Sequence, residues 1–188
     1  MVLKFRDRSS LGGDEAGNGD MGASITPQYM IICEQFFSSD VEEYSANGSP
    51  CLWFEIGMSR LVTNDSTGQL TGDGRIVGDD PTVCMKYGSW APAIQNALYA
   101  GTNIPFIGIR RFSSINGLKV IIQAIDYETC LIKTYRQKDD SIQFTFSAIY
   151  AQDVVCIYDN AGTKIGNSGS SLNYATLKQD KPKEWKTG

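Results

Sequence analysis

The decamer SIQFTFSAIY, residues 141–150, constrains the fold more tightly than any other stretch of the chain. Ile142, Phe144, Phe146, Ala148 and Tyr150 take alternate positions, and Ser141, Gln143, Thr145 and Ser147 fill the gaps. Side chains alternate across a strand, so a period of two gives a β-strand with one face in a core and the other wet. One wet face is a habit of antiparallel sheets, whereas parallel sheets are covered on both sides.

Other runs share this texture: YMIICEQF from Tyr29, LWFEIGMSRLV from Leu52, IPFIGIRRF from Ile104, LKVIIQAID from Leu118 and TCLIKTYRQ from Thr129. In the second of these, Leu52, Phe54, Ile56 and Met58 share one face. The punctuation is that of hairpins. INGL at 115–118 carries Asn-Gly, the preferred two-residue turn, because both positions tolerate positive φ. QKDDS at 137–141 and DNAG at 159–162 are also turn-like. Short strands at regular spacing predict a mainly β protein, an antiparallel β-barrel or sandwich.

Against this background KYGSWAPAIQNALYAG, residues 86–101, reads as one short flanking α-helix at about 89–100. Ser89 is placed to cap it, Pro92 falls in the first turn, and Gly101 ends it. Trp90, Ile94, Ala97 and Leu98 recur at helical spacing and form the packing stripe. About three turns are too few to persist without tertiary contacts.

Residues 9–24 are Gly-rich and polar, with little to bury against the entropy of ordering. By composition the chain divides into a flexible arm over 1–24, a barrel domain over 25–178 and a charged tail over 179–188. The VLKF at the start has the composition of an edge strand. Stretches 38–50 and 63–80 read as long loops, the latter with Asp65, Asp73, Asp79 and Asp80 among glycines.

Composition narrows the function. The chain has no histidine, which removes Ser-His-Asp and Cys-His machinery and His-ligated zinc. No nucleophile–base pair, metal-ligand spacing or phosphate-loop lysine is visible, so no catalytic residue, cofactor or metal is expected. The net charge of −4 argues against nucleic acid as the partner. No apolar run approaches the roughly 18 residues of a membrane span, and the N-terminus lacks the apolar core of a secretory signal. Five scattered cysteines, at 33, 51, 84, 130 and 156, fit buried reduced thiols.

The order of elements is more specific than any single motif. The helix APAIQNALYAG is followed by IRRFSSINGLKVIIQAIDYETCLIKTYRQ and then by SIQFTFSAIYAQDVVCIYDNAG. This sequence of helix, strand, Gly turn, two strands and a Phe/Ser-alternating strand resembles the haemolysin-coregulated protein (Hcp) family of bacterial type VI secretion, over roughly residues 28–178. The chain departs from that pattern in the two dozen residues before the first strand, in a longer 38–50 loop, and in Trp90 where the family commonly has Ser.

The resemblance implies a structural, non-enzymatic subunit, a β-barrel with a flanking helix. It implies homo-oligomeric hexameric rings stacked into a tube, a contractile sheath, a tip spike and small effector proteins as partners, and a bacterial cytoplasmic pool exported without a signal peptide. It also implies that Ser66, Thr67, Gly68, Gln69, Leu70, Thr71, Gly72, Asp73 and Gly74 form a loop contacting neighbouring subunits or rings. Two other readings stand beside it: a small-ligand-binding barrel, with Phe144, Phe146 and Tyr150 as lining, and a contractile-phage tail-tube protein. The wet positions Ser141, Gln143 and Thr145 fit a polar lumen or plain solvent equally.

Overall fold

The alternating decamer is the opening part of an 18-residue strand. The computed structural model describes residues 2–3, 28–37, 48–64, 67, 69–176 and 179. Its elements are β1 (Val2–Leu3), β2 (Tyr29–Ile32), β3 (Gly48–Cys51), β4 (Trp53–Asn64), β5 (Leu70–Lys86), α1 (Ala91–Ala100), β6 (Ile104–Ile115), β7 (Leu118–Lys138), β8 (Ser141–Tyr158) and β9 (Lys164–Asn173). All pairings are antiparallel, in the order β1-β4-β5-β8-β7-β6-β2-β3, with β9 on β8. The described residues are thus mainly β with one short flanking helix. Among the described residues the ladder is not a closed ring of strands; its last strand, β3, runs through Leu52 into β4, which lies next to the other end, β1.

The core face of β8 follows the alternation. Ile142, Phe144 and Phe146 are fully buried, while Ser141, Gln143, Thr145 and Ser147 are half-buried. Phe146 meets Tyr127 edge-on, with ring centroids 5.1 Å apart. Further along, the core changes sides. On β7 the core residues Ile125 and Tyr127 are odd-numbered, whereas Cys130 and Ile132 are even. The change falls at Thr129, whose φ of 56° is an unusual conformation for a β-branched residue. On β8 the corresponding switch lies between Phe146 and Ala151.

That switch gives the β6–β7–β8 region two buried faces. The second face holds Met30, Arg110, Ala124 and Val154. Arg110 donates from Nη1 to Asp126 Oδ1 at 2.7 Å and to the Ile109 carbonyl at 3.1 Å. Gly108 lies directly across from Asp126, and a Cβ there would come within 3.1 Å of the guanidinium and 2.9 Å of the Phe106 ring. Its lack of a side chain leaves room for the ion pair.

The turns have the expected chemistry. Asn116 and Gly117 both have positive φ, 50° and 77°, as a tight β6–β7 hairpin requires. Asp139 in the β7–β8 turn has φ of 52°. Gly101 ends α1 at φ 60°, with its N–H on the Leu98 carbonyl and that of Thr102 on Ala97.

The helix start differs from expectation. Trp90, not Ser89, holds the cap position and no side chain caps it, so α1 spans Ala91–Ala100. The Gly88 carbonyl accepts the Ala91 N–H, Pro92 supplies the fixed φ of the first turn, and the Trp90 ring packs edge-on against Phe37 at 5.5 Å. Burial of this indole takes the place of a hydrogen-bonding cap. Ile94, Ala97 and Ala91 are buried, with Trp90 and Leu98 packed half-buried against the same core.

Two further expectations are corrected. Leu52 and Met58 are exposed, unlike Phe54 and Ile56 with which the alternation groups them: Leu52 lies before β4 begins, and the register shift between Glu55 and Gly57 interrupts the alternation ahead of Met58. Stretch 63–80 is not a loop. β4 and β5 form a long hairpin with Asn64 opposite Leu70, Thr63 opposite Thr71 and Arg60 opposite Ile76. Its glycines carry no alternation signal, and the backbone ladder of β4 supplies the order that side chains do not. Pro81 falls where the register shifts between Glu55 and Gly57, a bulge that relieves it of ladder bonding. Val2–Leu3 does form an edge strand, paired to Gly57 and Ile56. The remainder of the arm over 1–24, stretch 38–47 and residues 180–188 lie outside the described residues.

Candidate functional site

The β4–β5 hairpin is the first candidate. β5 pairs with β8 only from Thr82 to Lys86, so from Leu70 to Asp79 its strand partner is β4. Leu70, Thr71, Gly72, Asp73 and Gly74 lie in β5 rather than in a loop. Thr67 and Gln69 sit exposed near the tip, and Ser66 and Gly68 lie outside the described residues. The root of the hairpin is tied to the sheet by Asp80, whose Oδ2 accepts from Lys133 Nζ and whose Oδ1 accepts from Ser147 Oγ, each at 2.5 Å. Lys133 is half exposed, so the ion pair contributes at most about 1 kcal/mol. Its role is positional. Tyr174 packs on the same root, where a Cβ at Gly78 would lie 2.6 Å from its ring. Composition singled out Asp80 only as one acid among several in a polar stretch; its partners on β7 and β8 come from the fold.

The wet side of β8 is a set of cross-strand polar contacts rather than bare solvent surface. Thr145 and Thr134 share a hydroxyl hydrogen bond of 2.8 Å, and Ser147 reaches Asp80. Ile149, Val155 and Ile157 on β8, Leu131 on β7 and Ile165 on β9 are also exposed; Leu131 pairs with Ser147 before the change of core side and Val155 lies beyond it, so these side chains do not share one face.

The second candidate is a cavity of about 220 Å³ between β4 and the β8–β9 ladder, lined by Ile56, Met58, Tyr127, Ala151, Leu172 and Asp153 among others. Asp153 is the charged group in its wall. Gln123 Nε2 donates to both carboxylate oxygens at 3.0 Å. Burial pushes the Asp153 carboxyl above its ordinary range, and the Gln123 hydrogen bond offsets part of that rise. Burial likewise holds the Tyr127 hydroxyl well above the usual tyrosine range.

The cysteines offer little nucleophilic chemistry. All five are free and buried. Desolvation raises Cys33 to about 11 and Cys130 to about 12, so neither supplies thiolate near neutrality. Among the described residues, no cluster of three acids or cysteines is arranged to hold a metal ion, and no helix is long and apolar enough to cross a membrane.

No protein-family model and no curated protein matches the sequence. Solved structures do match in fold. A type six secretion system protein aligns over 82% of this chain and 100% of its own, with a TM-score of 0.72 at 14% identity. Hcp1 from Salmonella typhimurium aligns over 81% of this chain and 97% of its own, with a TM-score of 0.63 at 8% identity. A type VI secretion system effector from Yersinia pestis aligns over 77% and 98%, with a TM-score of 0.60 at 9% identity. The fold of this chain is that of Hcp and other type VI secretion system proteins.

Proposed function

We propose that this chain is a divergent Hcp-type tube subunit, which closes into hexameric rings that stack inside a contractile sheath and travel with a tip spike and small effectors. One observation carries the reading: the likeness in fold spans four-fifths of this chain and the whole of a type six secretion system protein. The role is structural. It needs complementary faces for lateral closure and for stacking, not a catalytic group. The exposed Ile149, Val155 and Ile157 on β8 suit the lateral contact, and the long β4–β5 hairpin suits contact with the next subunit or ring. A ligand-binding barrel is less well supported, because Phe144 and Phe146 are packed into a filled core rather than lining a pocket. Export from a bacterial cytoplasm without a signal peptide belongs to the same proposal.

The hairpin gives the test. Of the described residues within 66–74, Leu70, Thr71 and Gly72 pair with β4 and none pairs with β8, so replacement of 66–74 by a short Gly-Ser linker is expected to leave the barrel core intact. The expected product has near-native circular dichroism, fails to stack into tubes and does not support secretion. A variant that assembles and secretes like the parent contradicts the role given to the hairpin.

A further inference from the structure

Among the described residues, three aspartates of the sheet are partly shielded from solvent, and two of them are paired with a cation. Asp126 holds Arg110 and Asp80 holds Lys133. Asp153 has only the neutral amide of Gln123, and among the described residues no lysine or arginine pairs with it. An ionised carboxylate against apolar walls is costly unless a counter-charge reaches it. Beside Asp153 lies the cavity of about 220 Å³, whose other walls include Ile56, Met58, Tyr127, Ala151 and Leu172. At about 30 Å³ per water, that is room for on the order of seven water molecules, or for one short alkyl chain with a polar end. Met58 and Ser170 are exposed as well as lining, so the cavity is reachable from solvent.

We infer that this cavity is a binding site for an alkylammonium group, with the aliphatic stem among Ile56, Ala151 and Leu172 and the cationic end on Asp153. The same chemistry is offered by a free primary amine and by a lysine side chain of a protein partner. The inference stands independently of ring formation.

The test is thermal melting of the full chain with three probes: pentylammonium, pentan-1-ol as its neutral counterpart, and the peptide acetyl-Gly-Lys-Gly-amide. Pentylammonium is expected to raise the midpoint saturably, by roughly 5–10 °C at a hundredfold excess over Kd, and pentanol is not. Asp153→Asn abolishes the response. Ser170 lies directly across the β8–β9 ladder from Asp153, so Ser170→Arg supplies the cation from within the chain. That variant is expected to melt no lower than the parent and to have lost the pentylammonium response. A response to both pentylammonium and the peptide, or to pentylammonium alone, assigns the site to free amines as well as side chains, or to free amines. A response to the peptide alone assigns it to a partner's lysine. No response to either, an equal response to pentanol, or an unchanged response in Asp153→Asn or Ser170→Arg overturns the inference.

Discussion

Ile94→Asp is expected to lower the thermal midpoint by on the order of 10–20 °C, or to prevent folding outright. Ile94 is fully buried where α1 packs on the core. Removing its side chain alone costs about 2–5 kcal/mol, and an unpaired carboxylate in its place adds several more. Domains of this size have roughly 5–15 kcal/mol to lose, and each kcal/mol moves the midpoint by about 2–4 °C. Leu98→Asp has a smaller effect, because Leu98 is half-buried, and Asn96→Asp on the exposed side is close to neutral. Ile94→Ala extends the series to a variant that folds. Melting followed by circular dichroism reads the order Ile94→Asp, Ile94→Ala, Leu98→Asp, Asn96→Asp. Equal midpoints for Ile94→Asp and Asn96→Asp contradict the packing of the helix.

Arg110→Met is expected to destabilise the chain by about 3–5 kcal/mol, because it strands Asp126 on a buried sheet face. The corresponding loss is about 6–20 °C in the thermal midpoint. Removing both partners tests the cause. Arg110→Met with Asp126→Leu leaves neither charge uncompensated, and the double variant is expected to recover most of the loss, since apolar replacement of a buried pair is often near neutral. A double variant no more stable than Arg110→Met places the cost in the other contacts of Arg110 rather than in the abandoned carboxylate.

The strands with a one-sided environment were the ones written in the sequence. Ser141–Ala148 alternates because one face of β8 there is core and the other polar, whereas Tyr150, which the pattern groups with Phe144, falls outside that core after the change of side; the turn at Asn116–Gly117 announces itself through residues that accept positive φ. β5 and β9 were not legible. Leu70–Lys86 opens with glycines, and Lys164–Asn173 is Gly- and Ser-rich; backbone hydrogen bonds to β4 and β8 order both. The change of core side at Thr129 is equally invisible, since a positive φ on a β-branched residue is imposed by the surroundings. Ser89 looked like a helix cap on side-chain chemistry, but burial of Trp90 beside Phe37 decided where the helix begins. The Arg110–Asp126 pair and the Asp153 cavity bring together residues 16 positions apart on two strands, or nearly a hundred apart across β4 and β8, and local pattern cannot register either.

Self-assembly is the property that decides the role, and electron microscopy of the purified chain measures it. Negative stain at high protein concentration is expected to show six-fold rings with an open centre, some stacked coaxially into tubes. A field of single monomers, with a monomer mass in native mass spectrometry at the same concentration, contradicts the assignment as a tube subunit.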